Sequence, residues 1–192
     1  MKKVLCCMCF TFILLFFSSC VTQVNNQSDS ISTMIIPRSF LRFTGVEQDE
    51  FIESFSSNYN DIYTEVKAEG EDVVVSMTEL QRQNFIKQNE RDTDSALEDY
   101  YSYNSKYKFC GSDNYKKVEF YHDEHLPKLD EGATILWVVS GYGLMQLLTN
   151  NSGDWSVEVE VYNCHTGKLV AEGTAPHEHL GWTSEDWTRS YE

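Results

Sequence analysis

The stretch Ala133 to Leu148, ATILWVVSGYGLMQLL, is the longest apolar run outside the N-terminus, and it carries no charge. A segment that is apolar on every side has no face to offer water, so a fold containing it must wrap it. Its length of about 16 residues falls short of the ~20 that a membrane-crossing helix needs. Ser140, Gly141, Gly143 and Gln146 interrupt it further. We therefore expect a buried central helix in a small domain, not a second membrane span.

The N-terminus reads differently. Lys2 and Lys3 form a basic start, Val4 to Phe17 is almost continuously apolar, and Ser18-Ser19 stand directly before Cys20. A charged start, an apolar centre and small residues at the end are the marks of a secretory leader. The small pair before a cysteine resembles the bacterial lipobox, although Phe17 stands where that pattern usually has Leu. The resemblance implies cleavage after Ser19 and a diacylglycerol thioether on Cys20. Two acyl chains anchor stably where one binds marginally. The expected plan is a leader over 1–19, a lipidated Cys20 with a polar tether over 20–33, and one domain over 34–192. Cys6, Cys7 and Cys9 would leave with the leader.

Charge narrows the partners. The net charge is -15, and loss of Lys2 and Lys3 with the leader takes it to -17. Such a surface repels phosphate backbones and anionic headgroups, which excludes nucleic acid and leaves the acyl chains to hold the membrane. An apolar content of 41% with 14% aromatics excludes a disordered chain.

Along the domain, Thr44-Gly-Val-Glu47 fits a capping box and predicts a helix over Val46 to Asn58. Ile62 to Lys67 and Val73 to Met77, separated by a Gly-containing turn, predict a hairpin. Thr78-Glu-Leu-Gln81 is a second capping box, opening a surface helix to about Tyr103 with a thin apolar stripe. Tyr115 to His122 and Trp155 to Tyr162 alternate as strands, and Lys168 to Thr174 returns antiparallel to the second. The expected fold class is α+β in the order α-β-β-α-β-α-β-β, a mainly antiparallel sheet of about five strands packed on the buried helix.

The runs VVVSMTELQRQNFIKQ, KKVEFYHDE, GLMQLLTN and WSVEVEVYNCHTGKLV, from about Asp61 to Val170, resemble a group of small gram-positive lipoproteins. In that group a strand leads into a Thr-Glu-started helix, and a small-residue-rich helix ends near a Gln. A strand then turns through a Thr-Gly pair, matched here by Thr166-Gly167. The group has no assigned activity, so the resemblance implies the architecture and the anchor alone.

Chemistry-bearing residues are sparse. His122-Asp-Glu-His125 and His177-Glu-His179 pair imidazoles with carboxylates, a donor set that suits zinc. The metal candidates are therefore His122, His125, His177 and His179. Outside the leader, where Cys6 and Cys9 happen to have CxxC spacing, the sequence has no HExxH, CxxC, GxSxG or P-loop, so no catalytic residue is assigned. Tyr100, Tyr101, Tyr103 and Tyr107 suit a core margin better than a ligand platform. Cys110 and Cys164, the cysteines left besides Cys20, each lie beside a strand end in an oxidising compartment, so we expect a disulfide. Closing that loop of about 54 residues is worth on the order of 4 kcal/mol. The function these features imply is a lipid-anchored extracytoplasmic module that binds a protein or a small ligand. The alternatives are a metal-dependent hydrolase using the histidines and an acidic inhibitor of a basic partner.

Overall fold

A computed structural model describes residues 30–192, apart from 60, 124–127, 151 and 179. The leader, Cys20 and most of the tether lie outside the described residues. The architecture is α+β, as expected, but it holds two sheets where one was anticipated. Strand β1 (Ile31–Ile36) leads through α1 (Arg38–Thr44) and α2 (Gln48–Asn58) to β2 (Glu65–Glu69) and β3 (Asp72–Thr78). Helix α3 (Glu79–Tyr103), strands β4 (Lys108–Gly111) and β5 (Lys117–His122), and helix α4 (Leu129–Asn150) follow. The chain ends with β6 (Val157–Asn163), β7 (Leu169–Ala175) and α5 (Ser184–Arg189).

The first sheet has the order β1-β3-β2, antiparallel throughout. Its strand β1 begins at Ile31, inside the stretch read as tether, and pairs Ile36 with Val73 and Met34 with Val75. Those four side chains are buried. The second sheet has the order β4-β5-β6-β7, and its central pair, β5 and β6, is parallel. Parallel neighbours require a long crossover, and the 22 residues of α4 supply it.

Helix α4 contains the apolar run and packs against α3, α1, β1 and β6, so it joins the two sheets. Val138, Val139, Leu147 and Leu148 are fully enclosed, whereas Leu136 is 39% exposed. The stripe on α3 that looked too polar for a core is explained at this contact. Asn89 and Thr93 are buried on α3, and the Asn89 side-chain amide donates to the Gly141 carbonyl at 2.9 Å. A Cβ on Gly141 would collide with the Thr93 hydroxyl. Arg82, paired with Glu79, donates to the Leu148 carbonyl at 2.9 Å and satisfies an acceptor in the last turn of α4.

The Thr78 capping box forms as expected: the Gln81 backbone N–H donates to the Thr78 hydroxyl, and the Thr78 N–H to the Gln81 side chain. The Thr44 box does not. Thr44 is the last residue of α1, and its hydroxyl donates back to the Phe40 and Leu41 carbonyls. Gly45 at φ 72 ends α1 in the left-handed region, and α2 starts only after Glu47. A Thr-x-x-Glu pattern is local, and a helix already running through Thr44 pre-empts it.

Trp155 ties α1 to α4. Its indole N–H donates to Ser39 at 3.2 Å, and its ring meets Phe40 and Phe43 edge-on at 5.2 and 5.3 Å. A Cβ on Gly143 would lie 2.5 Å from the Trp155 ring. Replacing Gly143 with Val gains a few tenths of a kcal/mol in helix propensity. It also forces the indole out of a ring cage, and overpacking of this kind costs about 1–3 kcal/mol. Gly143→Val should therefore lower Tm by roughly 2–4 °C per kcal/mol lost, measured by thermal unfolding.

Candidate functional site

The period-two patterns of β5 and β6 divide their residues between two faces. Val118, Phe120 and His122 on β5, with Val157, Val159 and Asn163 on β6, are buried. The other phase faces away from the core, with Lys117 opposite Glu158, Glu119 opposite Glu160 and Tyr121 opposite Tyr162. The two tyrosine rings stack at 5.1 Å. Lys117 lies 2.8 Å from Glu160, 3.3 Å from Glu119 and 3.7 Å from Glu158. Its hydrogen bond to Glu160 pushes the ammonium pKa up. The Tyr162 hydroxyl, bonded to Glu160 at 2.6 Å, is pushed up to about 12.

Beyond the strand ends the same phase continues into Asp123 and Cys164. The Cys164 N–H donates to the His122 carbonyl at 2.9 Å and extends the parallel ladder by one step. A turn closed by Gly167, at φ 71, then brings His165 back over Asp123. The turn is fixed by Asn163, whose side-chain oxygen accepts the His165 N–H at 2.8 Å and whose amide donates to buried Ser190. The Asp123 carboxylate is held on both sides. Asn104 donates to Oδ2 at 2.7 Å, while Oδ1 contacts His165 Nε2 and lies 3.7 Å from Cys164 Sγ. The ligating atoms of Asp123, Cys164 and His165 all lie within 4.8 Å of one another. The site lies just outside the carboxyl ends of the adjacent parallel strands β5 and β6.

A buried polar cluster lies on the inner side of the same strand ends. His122 is fully enclosed; its Nδ1 is 3.4 Å from the Tyr100 hydroxyl and its Nε2 is 3.7 Å from the Glu131 carboxylate, which is 1% exposed. The Tyr107 ring stacks on the imidazole at 4.5 Å, and Trp182 meets its edge at 5.7 Å. The Tyr100 hydroxyl donates to the Tyr121 carbonyl, and burial pushes its pKa up. Tyr100 and Tyr107 are thus core residues, while Tyr101 stays 42% exposed.

The expected site residues are redistributed. His122 is a core imidazole, and His177 is exposed in the turn after β7. His125 and His179 lie outside the described residues. Cys110 and Cys164 are free thiols, which corrects the expected disulfide. Cys110 on β4 is level with Glu119, and Glu119 with Glu160, so Cys164 is two strands away and four residues further along. That separates them by roughly 10 Å across the sheet and 13 Å along it. A disulfide needs Cα atoms within about 7 Å. Asp123, His165 and Glu131 were missed as site residues. The signal was there in YHDE and YNCH, whose outward phase continues through Asp123 and Cys164.

Burial, together with the Asp123 carboxylate 3.7 Å from the sulfur, pushes the Cys164 pKa up.

Glu131 is buried, lies 3.7 Å from His122 and accepts the Lys128 N–H at 2.9 Å, and removing a buried hydrogen-bonding partner costs about 1–3 kcal/mol. Glu131→Ala should therefore lower the urea unfolding free energy by about that amount, and Glu131→Gln, which keeps an acceptor beside His122, by less. Comparison with protein-family models, with curated proteins and with solved structures finds no match to this chain.

Proposed function

We propose that the chain is a lipid-anchored, extracytoplasmic binding module, attached through Cys20 to the outer face of the cytoplasmic membrane. One observation carries the binding half of this reading. An apolar groove of about 310 Å³ runs between the start of α4 and the inner face of β6 and β7. Ile135, Leu136, Val159 and Val161 line it, and Leu180 to Trp182 close it. Walls that are apolar apart from Glu172 suit a small apolar ligand. The anchor half rests on the sequence: the basic pair, the apolar stretch and Ser18-Ser19-Cys20. A start of β1 at Ile31, on an edge of its sheet, is consistent with a chain entering the domain from a tether.

Each half has its own measurement. Cys20→Ala should move the protein from the membrane to the soluble fraction or leave an uncut precursor, and mass spectrometry of the wild type should find diacylglycerol on Cys20. A mature N-terminus elsewhere refutes the anchor. For the groove, the neutral dye Nile red should brighten on the wild-type protein. Filling the groove by Ala171→Trp should remove most of that gain, and equal brightening of both proteins refutes the site.

A further inference from the structure

We propose that Asp123, Cys164 and His165 form a binding site for a zinc-class divalent ion, with water in the remaining position. The donors are one carboxylate oxygen, one sulfur and one imidazole nitrogen, all within 4.8 Å of one another. Zinc with a thiolate at ~2.3 Å and a carboxylate oxygen at ~2.0 Å in tetrahedral geometry holds those two atoms roughly 3.5 Å apart. The Cys164 Sγ to Asp123 Oδ1 distance is 3.7 Å. A mixed sulfur, nitrogen and oxygen set favours zinc and its neighbours over magnesium or calcium, which take oxygen alone.

The surroundings orient each donor. Asn104 occupies Oδ2 of Asp123, and this turns Oδ1 toward the cysteine and the histidine. Asn163, itself bonded to Ser190, holds the turn that carries His165. Outer contacts of this kind typically set metal affinity by 10- to 100-fold. His165 and Asp123 are 35% and 19% exposed, so an ion can enter from solvent. Lys106, 4.0 Å from Oδ2 and 57% exposed, is a screened charge that opposes the ion only weakly. On binding, the Cys164 S–H bond breaks, the sulfur–metal bond forms, and the proton passes to solvent. The carboxylate and imidazole then exchange their mutual contact for the ion.

The test uses the full chain in mild detergent, stripped with a chelator and titrated with zinc alone. One equivalent should bind, and cobalt in its place should give the near-ultraviolet thiolate-to-cobalt charge-transfer absorption. Zinc should slow alkylation of Cys164 at least tenfold and leave that of Cys110 unchanged. Cys164→Ser and His165→Gln should each weaken binding at least tenfold, while Cys110→Ser should not. Circular dichroism of both variants establishes that they fold. Absence of stoichiometric zinc, absence of the thiolate band, or binding that survives both variants and is lost instead with His177→Gln would each overturn the site. Because Nile red and zinc address different parts of the domain, failure of one leaves the other standing.

Discussion

The parallel pairing of β5 with β6 is the constraint on which the rest of the second sheet depends. Two strands that run the same way cannot be joined by a tight turn, so the chain must cross the sheet face and return. It crosses as α4, whose 22 residues contain the uncharged run. A helix laid over a sheet is covered on the strand side by Val159 and its neighbours and on the far side by α3. It can therefore be apolar almost all round. Within the uncharged run the exception, Leu136 at 39% exposure, lies where the cover stops and the groove opens. The same crossover sets both strand ends side by side, which is how residues 41 positions apart, Asp123 and Cys164, come within hydrogen-bonding reach.

An interior built this way still has polar groups to satisfy. Gln146 is buried in α4, and its side chain donates to the Tyr115 and Ser156 carbonyls and accepts the Ser156 N–H. It thereby fixes the loop before β5 against the start of β6. Asn89 does the same for α3 at Gly141, and Arg82 for the C-terminal turn of α4. An unpaired buried acceptor costs about 1–3 kcal/mol, so these contacts restrict how α3 and α4 can slide. The glycines at 141 and 143 complete the restriction by allowing approach at two points, to Thr93 and to Trp155. His122 and Glu131 form the remaining inner pair, directly beneath the outer cluster. The two clusters face opposite sides of the same strand ends, so the fold supports the outer donors with a rigid floor.

The legible part of the site was its ingredients. Alternation in KKVEFYHD and VEVEVYNC identified both strands and the phase of each, and the turn through Thr166-Gly167 was visible as a turn. Their relative direction was not legible. Read as members of an antiparallel sheet, the strands place Asp123 and Cys164 at opposite ends. Read as parallel, they bring Cys164 and His165 to Asp123. The disulfide expectation failed for the same reason, since position beside a strand end says nothing about which strand ends adjoin.

The sequence by itself determined the elements whose signal is local. These are the capping box at Thr78, the hairpin of β2 and β3, the β6–β7 hairpin and the apolar helix. Backbone capping, tight turns and hydrophobic period all act within a few residues. The tertiary structure decided everything that needs distant residues to meet. Strand β1 carries polar Ser32 and Thr33 and is a strand because β3 offers it a partner. Asn89 and Thr93 are interior because glycines face them across α3 and α4. His122 is core because its strand phase puts it under Tyr107, whatever its affinity for a metal. A residue's period tells which face it occupies; only the pairing of strands and helices tells what lies opposite that face.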